Sequence, residues 1–485
     1  MVALPASYNV KSQVNSIAQA PPTQEEHERK RQADKAWDAY KGKLPDPLKV
    51  EKNQPNDNVK ANRCEPIVNK IGSALFGQVV KIEAPDETPT SDTKIQAFID
   101  GLWGDDDDRM TKLNKIAVNG GCFGEPFLKL IPAQGPMKYP RIVNLDPRLM
   151  RIVTDPEDCD LHVAYIIEYP GPADWQKKQI ISRVDPDNSA PTAGDYDIDD
   201  TWTISNYVRM GTLGTWYKTG EPIDWPYPFA PIFCCQNLPN PNEAWGTPDL
   251  NPVIVGLNES INFLLSSLAR IAKFHGHPKT WASGIHASQI ATAIDDIICL
   301  PSPESKLGKL DAMTDFAGLL ALICDLRGSM DEQSRVPAVA QGRQENLPTG
   351  TISGIALKLM FQPLIDIATQ KQRLYGSLIR CITRAALVLA DIIPVEQYED
   401  YPIEMRWPAL LPSDALQDAQ GAIALQTAGV SRSTALQEIN YDAEYEAKQK
   451  AKEDADAAKL QPTPVQSSTS PEDSARPDQQ QEVAA

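Results

Sequence analysis

The sequence predicts an α+β protein, and two changes of pattern along the chain carry that expectation. Between about residues 78 and 245, short runs of alternating or β-branched residues are separated by Pro, Gly and Asp turns. From Asp249 onward, apolar residues return at helical spacing. The closing stretch, Gln461–Ala485, has Val465 and Val483 as its only aliphatic residues larger than alanine, so it is expected to be disordered.

With 485 residues, 41% of them hydrophobic, the chain can bury a substantial core. Its net charge of -18 repels a phosphate backbone, which argues against tight, sequence-specific DNA binding. Cys64, Cys122, Cys159, Cys234, Cys235, Cys299, Cys324 and Cys381 lack the spacing of a zinc site or a disulfide framework, so most are expected to be reduced and buried. Met1–Gln19 does not read as a signal peptide, and no run of about 18 apolar residues is apparent, so no membrane partner is expected and the chain should be made in the cytosol.

Residues 1–30 read as a loose arm running into a short charged helix. Ile67, Ile71, Leu75 and Phe76 predict a helix within Asn58–Gly77, closed by Gly77. Strands are expected at Gln78–Ile82, Pro126–Ile131, His162–Glu168 and Thr201–Val208, with helices at Lys94–Leu102 and Arg109–Asn119. Val253, Ile254, Leu257, Ile261, Leu264, Leu265, Leu268 and Ile271 predict a long helix ending near Gly276 and Pro278. A second helix is expected over Met313–Met330, with Phe316, Leu319, Leu320, Ile323 and Leu326 on its apolar side. A third spans Ile355–Ile392, kinked at Pro363 because the ring removes a donor and clashes with the Leu359 carbonyl. Between the first two helices, KTWAS, a short helix around Gln289–Asp295 and a strand-like IICL before Pro301 form a small excursion. Between the last two, Val336–Gly354 reads as a mobile polar loop with few apolar anchors. A strand at Ile403–Trp407 follows, then helices at Ser413–Thr427 and from Thr434 to about Lys459, the latter opened by a Thr434–Gln437 capping box.

Chemical motifs are weak. NGGCFGE (Asn119–Glu125) lacks the GK[ST] ending of a phosphate loop and precedes a strand, so a tight helix-to-strand turn is expected. Asp195, Asp197 and Asp199 begin like a calcium loop, but Asp200 and Asn206 stand where Gly and Glu are needed. Asp105–Asp108 reads as an exposed turn. His275 and His277 have only His286 and Cys299 as distant further ligands, so no metal is expected. No hydrolase, zinc-protease or nucleotide signature is present, and no cofactor or enzymatic activity is expected.

The order of parts resembles the portal proteins, or head-tail connectors, of tailed double-stranded DNA bacteriophages. Four stretches carry it. LPTGTISGIALKLMFQPLIDIATQKQRLYGSLIR (Leu347–Arg380) is similar to the family's loop and long helix, whose opening pattern falls on Ser353, Gly354, Ala356 and Leu357. GTPDLNPVIVGLNESINFLLSSLA (Gly246–Ala269) resembles its first stem helix, with Asp-Leu, Val-Ile-x-x-Leu-Asn, then Asn and Ser. NVKANRCEPIVNKIGSALFGQVVKI resembles its opening helix, and IEMRWPALLPSD its returning strand.

The resemblance implies a portal fold with a β-containing wing, a two-helix stem, a small α/β clip, a long kinked wing helix and a helical crown. It places an arm at 1–30, wing at 31–247 and 353–412, stem helices at 248–276 and 313–335, clip at 277–312, tunnel loop at 336–352, crown at 413–459 and a disordered tail at 460–485. It implies a dodecameric ring at the unique capsid vertex of the virion, passing double-stranded DNA without sequence preference. Partners would be the terminase large subunit, head-completion or adaptor proteins, and major capsid and scaffolding proteins. Gln341, Arg343, Gln344, Glu345 and Asn346 would line the tunnel, with Arg343 touching DNA in transit. Phe263, Leu264, Leu268, Phe316, Leu319 and Ile323 would meet neighbouring subunits, and Lys279, Trp281, His286, Lys306 and Lys309 would dock partners at the clip. The competing expectations are a tail or scaffold component without a channel, and a nucleic-acid enzyme with dispersed catalytic residues.

Overall fold

Thr23 opens α1 (Gln24–Tyr40): its hydroxyl accepts the Glu26 amide while the Glu26 carboxylate accepts the Thr23 amide, a reciprocal cap that holds the helix start. The charged stretch is therefore a single helix, and the boundary expected at residue 30 falls inside it. The computed structural model describes residues 16–50, 56–84, 92–155, 157–171, 175–187, 201–211, 214–276, 280–283, 304, 306–309, 316–343, 354–408, 410, 415–438, 446–447, 450–451 and 453–454. Outside these lie Asp195, Asp197, Asp199, the expected helix at Gln289–Asp295, the IICL run and the 461–485 tail.

The chain divides into two units, residues 1–410 and 411–485. In the first, α2 (Cys64–Phe76), α3 (Asp92–Trp103) and α4 (Asp106–Phe123) are followed by a sheet in the order β10-β2-β3, with β2 (Phe127–Ile131), β3 (Arg141–Leu145) and β10 (Ile232–Cys234) antiparallel. Asp105 caps α4 by accepting the Asp108 amide, and Asp106–Asp108 fill its first turn, where the helix dipole favours negative charge. The four aspartates expected as a turn are thus an exposed helix start.

A second antiparallel sheet runs β4 (Met150–Thr154), β5 (His162–Pro170), β6 (Trp175–Ser182), β7 (Trp202–Met210), with β8 (Tyr217–Lys218) and β9 (Ile223–Trp225) both pairing β7. One face, with Tyr165, Ile167, Ile181 and Trp202, enters the main core. On the other, Ile166, Ile180 and Tyr207 are covered by Ile17 and Ala18.

The three long helical periods appear as α5 (Pro252–Gly276), α6 (Phe316–Ser334) and α7 (Gly354–Leu389), with Pro363 inside α7. Between α5 and α6, β11 (Thr280–Ser283) pairs antiparallel with β12 (Lys306–Lys309). The partner of KTWAS among the described residues is therefore the glycine-containing KLGK. Near the end of this unit, β13 (Glu404–Arg406) returns to pair with β1 (Lys81–Glu83).

In the second unit, α8 (Ala415–Thr427) packs with α9 (Arg432–Glu438). The expected Thr434–Gln437 capping box is corrected: the chain turns at Gly429 (φ +93°), and the Ser431 hydroxyl accepts the Thr434 amide at 3.2 Å, so the helix opens earlier.

α2 starts later than its periodicity suggests because residues 57–63 are held by α5. Arg63 N donates to Asn258 Oδ1 (3.3 Å), Ala61 N to Asn262 Oδ1 (2.9 Å) and Val59 N to Ser266 Oγ (2.9 Å). Arg270 Nε adds a fourth rung to Asp57 (3.0 Å). The rungs stay in step because four helical residues advance about 6 Å and two residues of extended chain about 6.6 Å. Contrary to the sequence reading, Pro252–Lys273 is long and apolar enough, by length and composition alone, to cross a membrane. Within the fold its buried Asn258, Asn262 and Ser266 form this polar ladder.

Asn262→Ala leaves the half-buried Ala61 N–H without its acceptor and is expected to lower stability by about 1–2 kcal/mol. Denaturant unfolding checks this, and an unchanged midpoint at constant slope would show that the rung carries no load.

Candidate functional site

α7 carries an apolar stripe of Leu364, Ile367, Ala368, Tyr375, Leu378, Ile379 and Ile382, and Lys371 lies in it. Its ammonium donates to both carboxylate oxygens of Asp249 (2.7 and 2.6 Å) and to Asn237 Oδ1 (2.8 Å). Tyr375 OH also donates to Asn237 Oδ1 (2.8 Å), and Asn237 Nδ2 donates to Asp249 Oδ1 and Thr247 O, both at 3.1 Å. Both charged side chains are only 2% exposed. Burial draws the Lys371 pKa down, against the opposing pull of Asp249.

The glycine cluster at the end of α4 makes room for this joint. A Cβ on Gly120 would lie 1.8 Å from Tyr375 OH, and one on Gly121 2.8 Å from Asp249 Oδ2. Gly124 takes the left-handed conformation (φ +88°) that turns the helix into β2. The Leu250 amide donates to Gly121 O and the Asn237 amide to Gly124 O, tying both flanks of the joint to α4. NGGCFGE is thus the expected helix-to-strand turn, and its spare volume holds a buried ion pair.

Glu125 follows directly and is 1% exposed. Burial pushes its carboxyl up to about 8, only partly offset by the Cys234 thiol hydrogen bond and the Arg29 charge. Its Oε2 has no hydrogen-bond partner among the described residues.

α5 and α6 pack together, and in the cluster they share with α1 and α2, Ile323 is 5% exposed and Leu264 and Leu268 lie half-buried. Ile323 is thus covered within its own chain. Phe316 and Leu319 are half-buried and Phe263 is 48% exposed. Leu320, expected on the apolar side of α6, is 50% exposed, and Leu322, on another side of the helix, is 45% exposed, with Ala317, Ala321 and Cys324 also exposed.

Residues 336–343, the described part of the expected mobile polar loop, are anchored instead. Val336 is fully buried and Ala340 nearly so, in a 3-10 turn over Ala338–Gln341. Gln341 Nε2 donates to Asp331 (2.9 Å) and to Val336 O (3.2 Å), and Arg343 pairs with Asp331. Arg343 is therefore held by α6. Gln344, Glu345, Asn346 and Ser353 lie outside the described residues, as do Lys279, His277 and His286. Gly354 begins α7, Ala356 is half-buried and Leu357 exposed. On the two-stranded sheet, Trp281 pairs with Gly308, Lys309 with Thr280, and exposed Lys306 with Ser283.

Cys64 and Cys122 are buried, Cys159, Cys234, Cys235 and Cys381 half-buried, and Cys324 exposed, so the expectation of mostly buried thiols is corrected. Among the described residues, no group of three or more His, Cys, Asp or Glu side chains is placed to hold a metal ion. Sequence reasoning missed Lys371, Asp249, Asn237 and the ladder; the available signal was a lysine on the apolar stripe of a long helix.

Residues 305–460 match the family model of phage portal proteins, SPP1 Gp6-like. The matched span takes in β12, α6, the 336–343 tether, α7, β13, α8 and α9. Two of the four stretches that carry the resemblance, Gly246–Ala269 and the one beginning at Asn58, precede it. No curated protein matches the chain.

Lys371→Met leaves Asp249 as an unpaired buried charge and is expected to cost about 3–5 kcal/mol of stability. Adding Asp249→Asn should recover part of that loss in a denaturant cycle, and a double variant no more stable than the single one would contradict the pairing. Glu125 gives a pH prediction. Its folded-state pKa lies above the ordinary value of about 4.3, so stability present at low pH is lost as pH rises toward 8. Glu125→Gln should therefore raise Tm over wild type by an amount that grows from about pH 5 to 8, whereas a pH-independent difference would contradict the burial effect.

Proposed function

We propose that this chain, whose residues 305–460 match the phage portal family, is the subunit of a ring at the unique capsid vertex through which DNA is packaged and ejected. The observation that carries the ring reading is the uncovered apolar surface of α5 and α6. α6 has Ile323, Met330 and Ser334 as its buried residues, while Leu320 and Leu322, and Phe263 of α5, stay exposed in the single chain. Leu320 and Leu322 stand two residues apart and so face different sides of α6; large apolar side chains exposed on more than one side of a helix mark association sites, and identical subunits bury them by closing around an axis.

In this reading α5 and α6 form the stem, β11 and β12 belong to the clip that meets the terminase and then the head-completion proteins, and α7 spans the wing. The crown contains α8 and α9. The segment that follows Arg343 reaches toward the channel, with Arg343 and Asp331 fastening its base. Net charge of -18 suits a passage in which DNA slides, because clustered cations would bind the backbone through counterion release. Nothing in this scheme hydrolyses ATP, so the work of translocation falls to a partner motor.

The test is sedimentation of the purified chain. Wild type should sediment as a discrete ring-sized oligomer. Leu320→Glu with Leu322→Glu should sediment as a monomer with unchanged circular dichroism, since both side chains already face water in the single subunit. A double variant that assembles like wild type would overturn the assignment of these leucines to subunit contacts.

A further inference from the structure

The β4–β9 sheet is finished unevenly. Its face toward the main core is covered at Trp202 and Ile181, but farther along the strands the same face is bare. Trp175 (45% exposed) pairs with Met210 (63%), and Tyr217 (67%) pairs with Val208 of β7. Trp202, Val208 and Met210 share a face because side chains alternate along a strand. Three large apolar side chains therefore stand exposed on this face, beyond the hydrogen-bonded pair Gln179–Asn206 that ends the core side of the sheet.

The opposite face shows what covers this sheet. Ile17 and Ala18 close over Ile166, Ile180 and Tyr207. The segment is fastened by hydrogen bonds from the Ala18 amide to Pro186 O and from the buried Lys178 ammonium to Ala18 O. Gln19 exchanges two hydrogen bonds with the Trp216 backbone, directly beside Tyr217 at the sheet edge. The residues just before this fastening, 1–15, lie outside the described residues. Their sequence, MVALPASYNVKSQVN, has one charged side chain, Lys11, and sets Tyr8, Val10 and Val14 at even spacing. That pattern gives an extended chain one apolar side. Fifteen residues reach up to about 50 Å, enough to pass around an edge strand.

We propose that residues 1–15 cover the Trp175–Met210–Tyr217 patch, so that one continuous segment clamps both faces of the sheet. The clamp is a property of the single chain and stands or falls separately from ring formation.

Peroxide oxidation of methionines, followed by peptide mass spectrometry, reads it directly in the full chain and in a chain lacking residues 1–15 but retaining Ser16–Ala20. Met137 (50% exposed) and Met330 (2% exposed) serve as exposed and protected references, and their unchanged rates show that the shortened chain is folded. Met210 should oxidise several-fold more slowly than Met137 in the full chain and at a comparable rate after the deletion. Fast oxidation of Met210 in both chains would show a bare patch, and slow oxidation in both would show that another occupant, such as a second copy, covers it. Either result overturns the proposal.

Discussion

Much of the arrangement depends on one buried ion pair. Lys371 and Asp249 meet where the end of α4, the approach to α5 and the middle of α7 converge, and Asn237 and Tyr375 satisfy the remaining polar atoms. Such a pair adds little net stability, because desolvation of the two charges offsets most of their attraction. Its effect is on geometry. Once both charges are dry, any shift of α7 relative to α5 separates them in a low-dielectric interior, so the register of the two helices is tightly defined. Gly120 and Gly121 follow from the same constraint, since side chains there would occupy the space of Tyr375 OH and Asp249.

The polar ladder on α5 extends that logic. Asn258 Oδ1, Asn262 Oδ1 and Ser266 Oγ accept backbone amides of residues 59–63 and so fix that segment along the helix, while the buried Asn258 Nδ2 has no partner among the described residues. The uncovered surface of the α5–α6 pair includes Phe263, Leu320 and Leu322, and the segment after α6 begins from a tethered base at Val336, Gln341 and Arg343. Association through such a face depends on hydrophobic area, which salt does not screen. Contact with DNA would by contrast be weak and salt-sensitive for a chain of this charge.

Legibility in the sequence followed the strength of the local signal. α5 and α7 were readable to within a few residues because apolar periodicity over many turns leaves few alternatives, and β2, β5 and β7 because β-branched and aromatic residues cluster there. β12 was not readable: KLGK has neither alternation nor β-branching, and its strand character comes from pairing with β11. The tethering of 336–343 was hidden because Asp331 lies on the preceding helix and the short run VPAVA carries no periodicity that marks Val336 as buried. Thr434 looked like a cap, yet the backbone turn at Gly429 handed that role to Ser431. The Lys371 joint and the ladder rest on contacts between residues far apart in the chain, which no local pattern encodes.

Electron microscopy of the purified chain, with class averages, tests the central claim that the apolar α5–α6 surface closes a ring around a passage. Closed rings with an open central channel are the predicted result. Closed particles without a channel would contradict it.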